Sequence, residues 1–283
     1  MAALLLVESG STKTDWCVVS SKGSMKHLQT SGINPYLQTI EQITELLKSE
    51  LPDRAAFSAV SKIIFYGAGA SQPEQQNKLK HILADYFDIS NTEVSCDMMA
   101  AARGLCGNQK GIVCILGTGS NSCFFDGEMI KDKHPSLGYI AGDEGSGNYM
   151  GKRVLQYYAY HTFDDELRQA FEYLFGSNLS KIILQLYGNP FPNRYLAGFV
   201  QLLKENRGHY MVENIIEDSL NDFFHFHLMK FRESWKLPIH FTGSVAYEFK
   251  DVIANLCHQY EMELGIIEKS PLERLVNYHR ELL

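Results

Sequence analysis

Glu8-Ser9-Gly10-Ser11-Thr12-Lys13-Thr14 and Gly117-Thr118-Gly119-Ser120-Asn121-Ser122 are two short loops rich in glycine and hydroxyl side chains. Each follows an apolar run, Ala3–Val7 and Ile112–Leu116, and each leads into another, Cys17-Val18-Val19 and Cys123-Phe124-Phe125. A turn stripped of bulky side chains between two strands lets backbone N–H groups and hydroxyls reach an anion. Taken singly, each loop is an ordinary hairpin turn more often than not. Together, in matching contexts, they point to a duplicated domain that grips a nucleotide's phosphates. Glu8 ends a buried strand, where a carboxylate without a partner is costly. A metal ion or its water shell would satisfy it, and a charge at a sheet edge is the other reading.

Three more loops fall at the ends of strand-like runs. Asp97 follows Ser95-Cys96 and precedes the alanine-rich Met98–Ala102. It is either a helix N-cap or a base able to take a proton from a substrate hydroxyl, and both readings stay open. Gly138–Gly147 holds four glycines with Asp143 and Glu144, carboxylates suited to accepting from sugar hydroxyls. Thr242-Gly243-Ser244 ends the run Ile239–Phe241 and opens a helix, and Gly243 would let a flat ligand such as adenine lie close to the backbone. A flexible loop and a plain helix start are the alternatives for these two. The commoner motifs are missing: no P-loop GxxxxGK[ST], no GxGxxG after a strand, no HExxH, no paired Cys/His spacing and no GxSxG elbow.

The elements that must position these loops occur twice. Strand-like segments at 3–8, 15–20 and 25–31 precede a helix at 39–50, a strand at 62–66, a helix at 73–87, a strand at 92–96 and a helix at 98–106. This βββαβαβα order needs a mixed sheet with helices on its faces. It begins again with strands at 111–116, 120–126 and 128–131. A helical insert at about 148–231 follows, then a strand at 237–241, a helix at 245–260, a strand at 262–267 and a helix at 270–282. The boundary is expected near Cys106–Lys110, giving domains 1–107, rejoined by the helix 270–283, and 108–269.

The 283 residues suffice for two such cores, and 45% hydrophobic with 21% charged is an ordinary globular balance. A net charge of −7 without a basic block argues against nucleic acid as a partner. No apolar stretch approaches the roughly 20 residues that span a bilayer. Met1–Val7 lacks a basic start and reads as a buried strand, not a signal peptide. The six cysteines form no CxxC pair and read as small hydrophobes of a reducing cytoplasm.

The five loops in this order resemble the N-acetylglucosamine kinase family, one of the activator-type ATPases in the actin, heat-shock chaperone and sugar-kinase superfamily. The likeness spans nearly the whole chain. Its most specific part is Leu116-Gly117-Thr118-Gly119-Ser120-Asn121-Ser122 followed by Ala141-Gly142-Asp143-Glu144-Gly145-Ser146-Gly147. The resemblance implies an α/β fold of two ribonuclease H-like (actin-like ATPase) domains, each a mixed five-stranded sheet with helices on both faces, and a cleft between them. It implies ATP contacts from Ser11, Thr12, Lys13 and Thr118, with Gly198, Gly243 and Ser244 near the nucleotide. Asp97 would be the catalytic base and a sugar contact, alongside Asn34, Ser120, Asn121, Gly138 and Asp143. Glu8 would hold Mg²⁺ through water. The implied reaction is ATP-dependent phosphorylation of an amino sugar, N-acetylglucosamine at its 6-hydroxyl, by a cytoplasmic enzyme that pairs as a homodimer. Glucosamine or another hexosamine is the alternative acceptor. An iron–sulfur activator ATPase and a non-catalytic sugar sensor are alternatives of other classes. In two places the chain departs from the family. The first loop reads Glu8-Ser9-Gly10-Ser11-Thr12 where a further glycine is usual, and Ser136-Leu137-Gly138 stands where Gly-Trp-Gly is common. Leu137 removes a flat wall beside the sugar. The segment 66–72 matches a glycine-rich loop near the substrate only loosely.

Overall fold

The computed structural model describes residues 3–10, 12–20 and 25–280. β1 (Ala3–Ser9), β2 (Lys13–Ser20) and β3 (Met25–Ser31) form an antiparallel meander. β4 (Val60–Gly67) and β5 (Thr92–Cys96) extend it in parallel beyond β1, giving the order β3-β2-β1-β4-β5. The second sheet repeats the plan. β6 (Gly111–Leu116), β7 (Ser120–Phe125) and β8 (Ile130–Lys133) are the meander, and β9 (Ile239–Thr242) and β10 (Leu264–Glu268) lie parallel beyond β6. Its order, β10-β9-β6-β7-β8, is the same topology read from the other edge. The fold is therefore the duplicated ribonuclease H-like architecture. Met1–Asn108 with Pro271–Leu283 form one compact unit, and Gln109–Ser270 form the other.

β1 shows why the sequence folds this way. Its run Leu4-Leu5-Leu6-Val7 is apolar at every position because a central strand with helices on both faces is buried on both. Leu5 and Val7 pack with Trp16, Ile63, Phe65 and the helix residues Ile43, Leu47, Leu79 and Leu83. Leu4 and Leu6 point the other way, onto Ile64, Tyr66, Ala100 and the C-terminal helix residues Leu275 and Val276. Each fully buried leucine contributes about 1.5–3 kcal/mol. The edge strand β8 reads Ile-Lys-Asp-Lys, and its charges discourage pairing with another chain.

In the second unit the helical insert completes the core. Ile112, Cys114 and Leu116 of β6 share one cluster with Met150, Val154, Leu203, Ile216 and Phe223. The insert is a set of separate helices: Gly147–Ala159, Asp165–Phe175, Leu179–Gly188, Pro192–Gly198, Val200–Glu205 and Tyr210–Phe226. Among the described residues no helix is long and apolar enough to cross a membrane.

Two local readings are corrected. The segment 245–260 is two helices, Ser244–Glu248 and Lys250–Gln259, broken at the buried Phe249. Val245, Ala246, Phe249, Val252, Ile253 and Leu256 keep helical spacing straight through the break, so periodicity alone shows one helix. The glycine-rich stretch 138–147 opens with a helical turn, Gly138–Ala141.

Candidate functional site

In the first unit Glu8 stands opposite Asp15 of β2 and Tyr66 of β4. Burial raises its carboxyl to about 7, the charges of Asp15 and Asp97 push the same way, and Lys13 pulls against them. Asp15 is buried and fully engaged: Lys13 Nζ lies at 2.9 Å and His27 Nε2 at 3.2 Å, and Gln29 Nε2 donates at 2.8 Å. The expected ATP contact Lys13 is thus paired with Asp15 of its own strand.

Asp97 follows β5 directly and is the first residue of the helix Asp97–Cys106. Its Oδ1 accepts the Met98 N–H at 2.9 Å. The N-cap reading of Asp97 is corrected. β5 stays extended through Cys96, so Cys96 holds the cap position and helical dihedrals begin at Asp97. The carboxylate stands partly exposed at the C-terminal end of a parallel strand, a usual place for chemistry in open α/β sheets.

Asn34 is held by a turn of its own. Its Oδ1 accepts the Tyr36 N–H at 3.0 Å, and its N–H donates to Gln38 Oε1 at 2.7 Å. It lies against Gly69, whose φ of +81° leaves a Cβ no room beside Asn34 Oδ1. That contact places the loosely matching segment 66–72 at the candidate sugar residue. Buried Ser9 and Thr14 do the joining: the Ile33 N–H reaches Ser9 Oγ at 3.0 Å and Thr14 Oγ1 at 3.2 Å. The Gly32 N–H donates to Thr12 O at 3.1 Å and the Ala68 N–H to Ser9 O at 2.9 Å, so three loops form one piece. Thr12 itself is exposed, and Ser11 lies outside the described residues.

In the second unit Thr118, Gly198 and Ser244 come from distant stretches and line one cavity of about 480 Å³. That volume is in the range of small-molecule sites, roughly 300–1,000 Å³. Gly243 lies just behind, at φ +115°, where a Cβ would strike the Leu116 carbonyl. A glycine is needed there for β9 to turn into its helix beside the loop at 117–119. Lys204 and Glu248 also line the cavity and pair at 2.8 Å.

The loop after β6 is bonded to the glycine-rich stretch 138–147. The Gly147 N–H donates to Gly117 O at 2.8 Å, and the Asn148 N–H to Thr118 O at 3.0 Å. Asn148 Nδ2 donates to Thr118 O at 2.6 Å and to Asp143 Oδ2 at 2.7 Å. Burial raises the Asp143 carboxyl, with the bond from Asn148 the main opposing influence. Glu144 Oε2 lies 3.1 Å from His227 Nε2, whose Nδ1 is 3.3 Å from Ser122 Oγ. The buried Ser120 Oγ has no hydrogen-bond partner among the described residues, while its N–H faces Asp143 Oδ1 at 3.5 Å. Asn121 Oδ1 accepts the Ser122 N–H at 3.0 Å. Gly138 begins the helical turn at a φ of 68°, and Lys152 Nζ ties that turn down through Tyr139 O at 2.7 Å.

Of the expected residues, the second unit therefore brings Thr118, Gly198 and Ser244 to one cavity and Ser120 to Asp143. The first unit brings Asn34 to the loop that carries Thr12, and Asp97 into the field of Glu8. Sequence reasoning misses Asn148 and Lys204, and it reads Ser9 and Thr14 only as part of the first loop. For Asn148 the only signal is a polar residue among positions 147, 148, 150, 151 and 154, the buried face of its helix.

This is the fold of the actin-like ATPases, the class that includes the sugar kinases. A Porphyromonas gingivalis protein provisionally named an N-acetylglucosamine kinase is 39% identical, over 98% of this chain and 99% of its own, with a TM-score of 0.94. On that likeness the chain belongs to the N-acetylglucosamine kinase family. A similarly named Chromobacterium violaceum protein shares the fold at 18% identity and TM-score 0.74, over 98% of each chain. So does a ROK-family glucokinase of Streptomyces griseus, solved with glucose and AMPPNP, at 15% identity and TM-score 0.57 over 99% of this chain and 98% of that one. No protein-family model and no curated protein matches the chain.

Proposed function

We propose that this protein transfers the γ-phosphoryl group of ATP to the 6-hydroxyl of N-acetylglucosamine. The observation that carries the reading is the single cavity shared by Thr118, Gly198 and Ser244 in a chain of this family. Asp97 takes the 6-hydroxyl proton as that oxygen bonds to the γ-phosphorus. The bond from phosphorus to the β–γ bridging oxygen breaks, and ADP leaves with the electron pair. Ser11, Thr12, Lys13 and Thr118 hold the phosphates, with the nucleoside beside Gly198, Gly243 and Ser244. Asn34, Ser120, Asn121, Gly138 and Asp143 hold the sugar. The unpartnered Ser120 Oγ and the Asp143 carboxylate suit hydroxyl contacts.

Glu8 would hold Mg²⁺ through water. Its fit rests on a carboxyl pushed up by burial and by the neighbouring charges of Asp15 and Asp97, which a cation would return to the ionised form. When bound, the ion supplies charge neutralisation at the β- and γ-phosphates.

Glucosamine and other hexosamines are the runner-up acceptors, because Leu137 is exposed beside the turn Gly138–Ala141 and offers no flat wall. Leu137→Trp is expected to shift the ratio of kcat/KM between N-acetylglucosamine and glucosamine about tenfold, within the range a changed apolar contact gives. An unchanged ratio would show that position 137 does not read the sugar. Gly69→Ala is expected to raise the sugar KM several-fold at unchanged ATP KM, because it strains a positive φ and displaces Asn34. The strain costs roughly 1–2 kcal/mol, read as a lower melting temperature. Equal losses for both ligands would contradict the role of Asn34. The reading as a whole is tested by phosphorus NMR of the product. A phosphate ester on the 6-carbon supports it, and one on the anomeric carbon or free phosphate alone overturns it.

A further inference from the structure

We infer that Asn148 is a positioning residue that couples the nucleotide loop to the sugar carboxylate, so that each ligand strengthens the binding of the other. The inference rests on the reading above, in which Thr118 belongs to the phosphate loop and Asp143 holds the sugar. Asn148 is fully buried, and its Nδ2 donates at 2.6 Å to Thr118 O and at 2.7 Å to Asp143 Oδ2. One NH₂ group therefore serves both loops, and its own backbone N–H adds a second bond to Thr118 O at 3.0 Å. The amide has one possible orientation, since turning it over would set Oδ1 against a carbonyl and a carboxylate. That orientation leaves Oδ1 buried with no partner among the described residues. Both donors of the amide are used, one on each loop.

A phosphate that fixes the Thr118 peptide fixes the Asn148 amide, and with it the Asp143 carboxylate that accepts from the sugar. Coupling of this kind is reciprocal. Asn148 also favours the ionised form of Asp143, together with the Ser120 N–H and the charge of Lys152, against burial and the charge of Glu144. Removing the donor leaves Asp143 protonated to a higher pH.

The test is calorimetric titration of N-acetylglucosamine with and without AMPPNP and Mg²⁺, on the wild type, Asn148→Ala and the near-isosteric Asn148→Leu. In the wild type the nucleotide should tighten sugar binding at least fivefold, and in both variants that factor should fall to about one. Asn148→Leu, which keeps the volume and removes the donor, should also move the acid limb of kcat/KM for the sugar upward, which a packing role would not do. Should Asn148→Ala not fold, the near-isosteric variant carries both readouts. A wild type without coupling, or variants that keep both the coupling and the acid limb, overturn the inference. Asp143→Asn and Thr118→Val test the underlying reading. If these weaken sugar and ATP respectively while the Asn148 variants keep the coupling, only the inference fails. If they weaken neither ligand, the reading fails with it.

Discussion

Asp97→Asn is expected to lower kcat by a factor of roughly 10²–10⁴ while the sugar's Kd changes only a few-fold. The asparagine keeps the shape of the side chain and an oxygen that can still accept the Met98 N–H, so the start of the helix Asp97–Cys106 survives. What it loses is the capacity to take a proton. In phosphoryl transfer most of the rate comes from positioning and charge neutralisation, so the variant should retain a residual, sugar-dependent turnover. Initial rates at saturating ATP, with calorimetry for sugar binding, separate the two effects. Near-normal turnover would remove Asp97 from the role of base.

The second large effect has opposite signs for stability and for activity. Glu8→Gln is expected to raise the melting temperature at pH 8 and to lower turnover with Mg-ATP at least tenfold. In the folded protein the Glu8 carboxyl is raised from 4.5 to about 7, chiefly by burial. The folded state therefore binds this proton more tightly than the unfolded chain. The associated stability is complete below about pH 4.5 and is lost as pH rises through about 7. Above that, the ionised carboxylate costs the fold on the order of 3 kcal/mol, which a neutral glutamine removes. Mg²⁺ should restore stability to the wild type at pH 8 and do little for the variant. Melting curves at pH 5 and pH 8, with and without Mg²⁺, measure all of this. A wild type that melts alike at both pH values, or a variant equally stabilised by Mg²⁺, would contradict the assignment of Glu8. A buried carboxylate that costs the fold stability is expected where function requires it.

The parts of this molecule legible in the sequence are those set by local chemistry. Leu4-Leu5-Leu6-Val7 running into Gly10 is a buried strand meeting a tight turn, and both properties belong to neighbouring residues. The same holds for Ile112–Leu116 running into Gly117, and the recurrence of the pair shows the duplication. Asp97 is legible as a strand-end carboxylate, but its cap position is not, because one residue of extended backbone at Cys96 decides it. The break at Phe249 is hidden for a different reason: the apolar spacing passes through it unchanged. Asn148 is invisible because its two partners, Thr118 and Asp143, lie thirty and five residues away. They meet it only when β6 and the helix Gly147–Ala159 are packed. Lys204 reaches the cavity of Thr118 and Ser244 through the packing of the helical insert, which no local pattern encodes.

The central claim, ATP-dependent phosphorylation of an amino sugar, is tested most directly by coupled ADP release with Mg-ATP. N-acetylglucosamine, glucosamine, N-acetylmannosamine and glucose are each compared with a blank that holds no sugar. Release that depends on sugar and is fastest with N-acetylglucosamine is the predicted result. Release at the same rate in the blank, or none with any hexosamine, would contradict it.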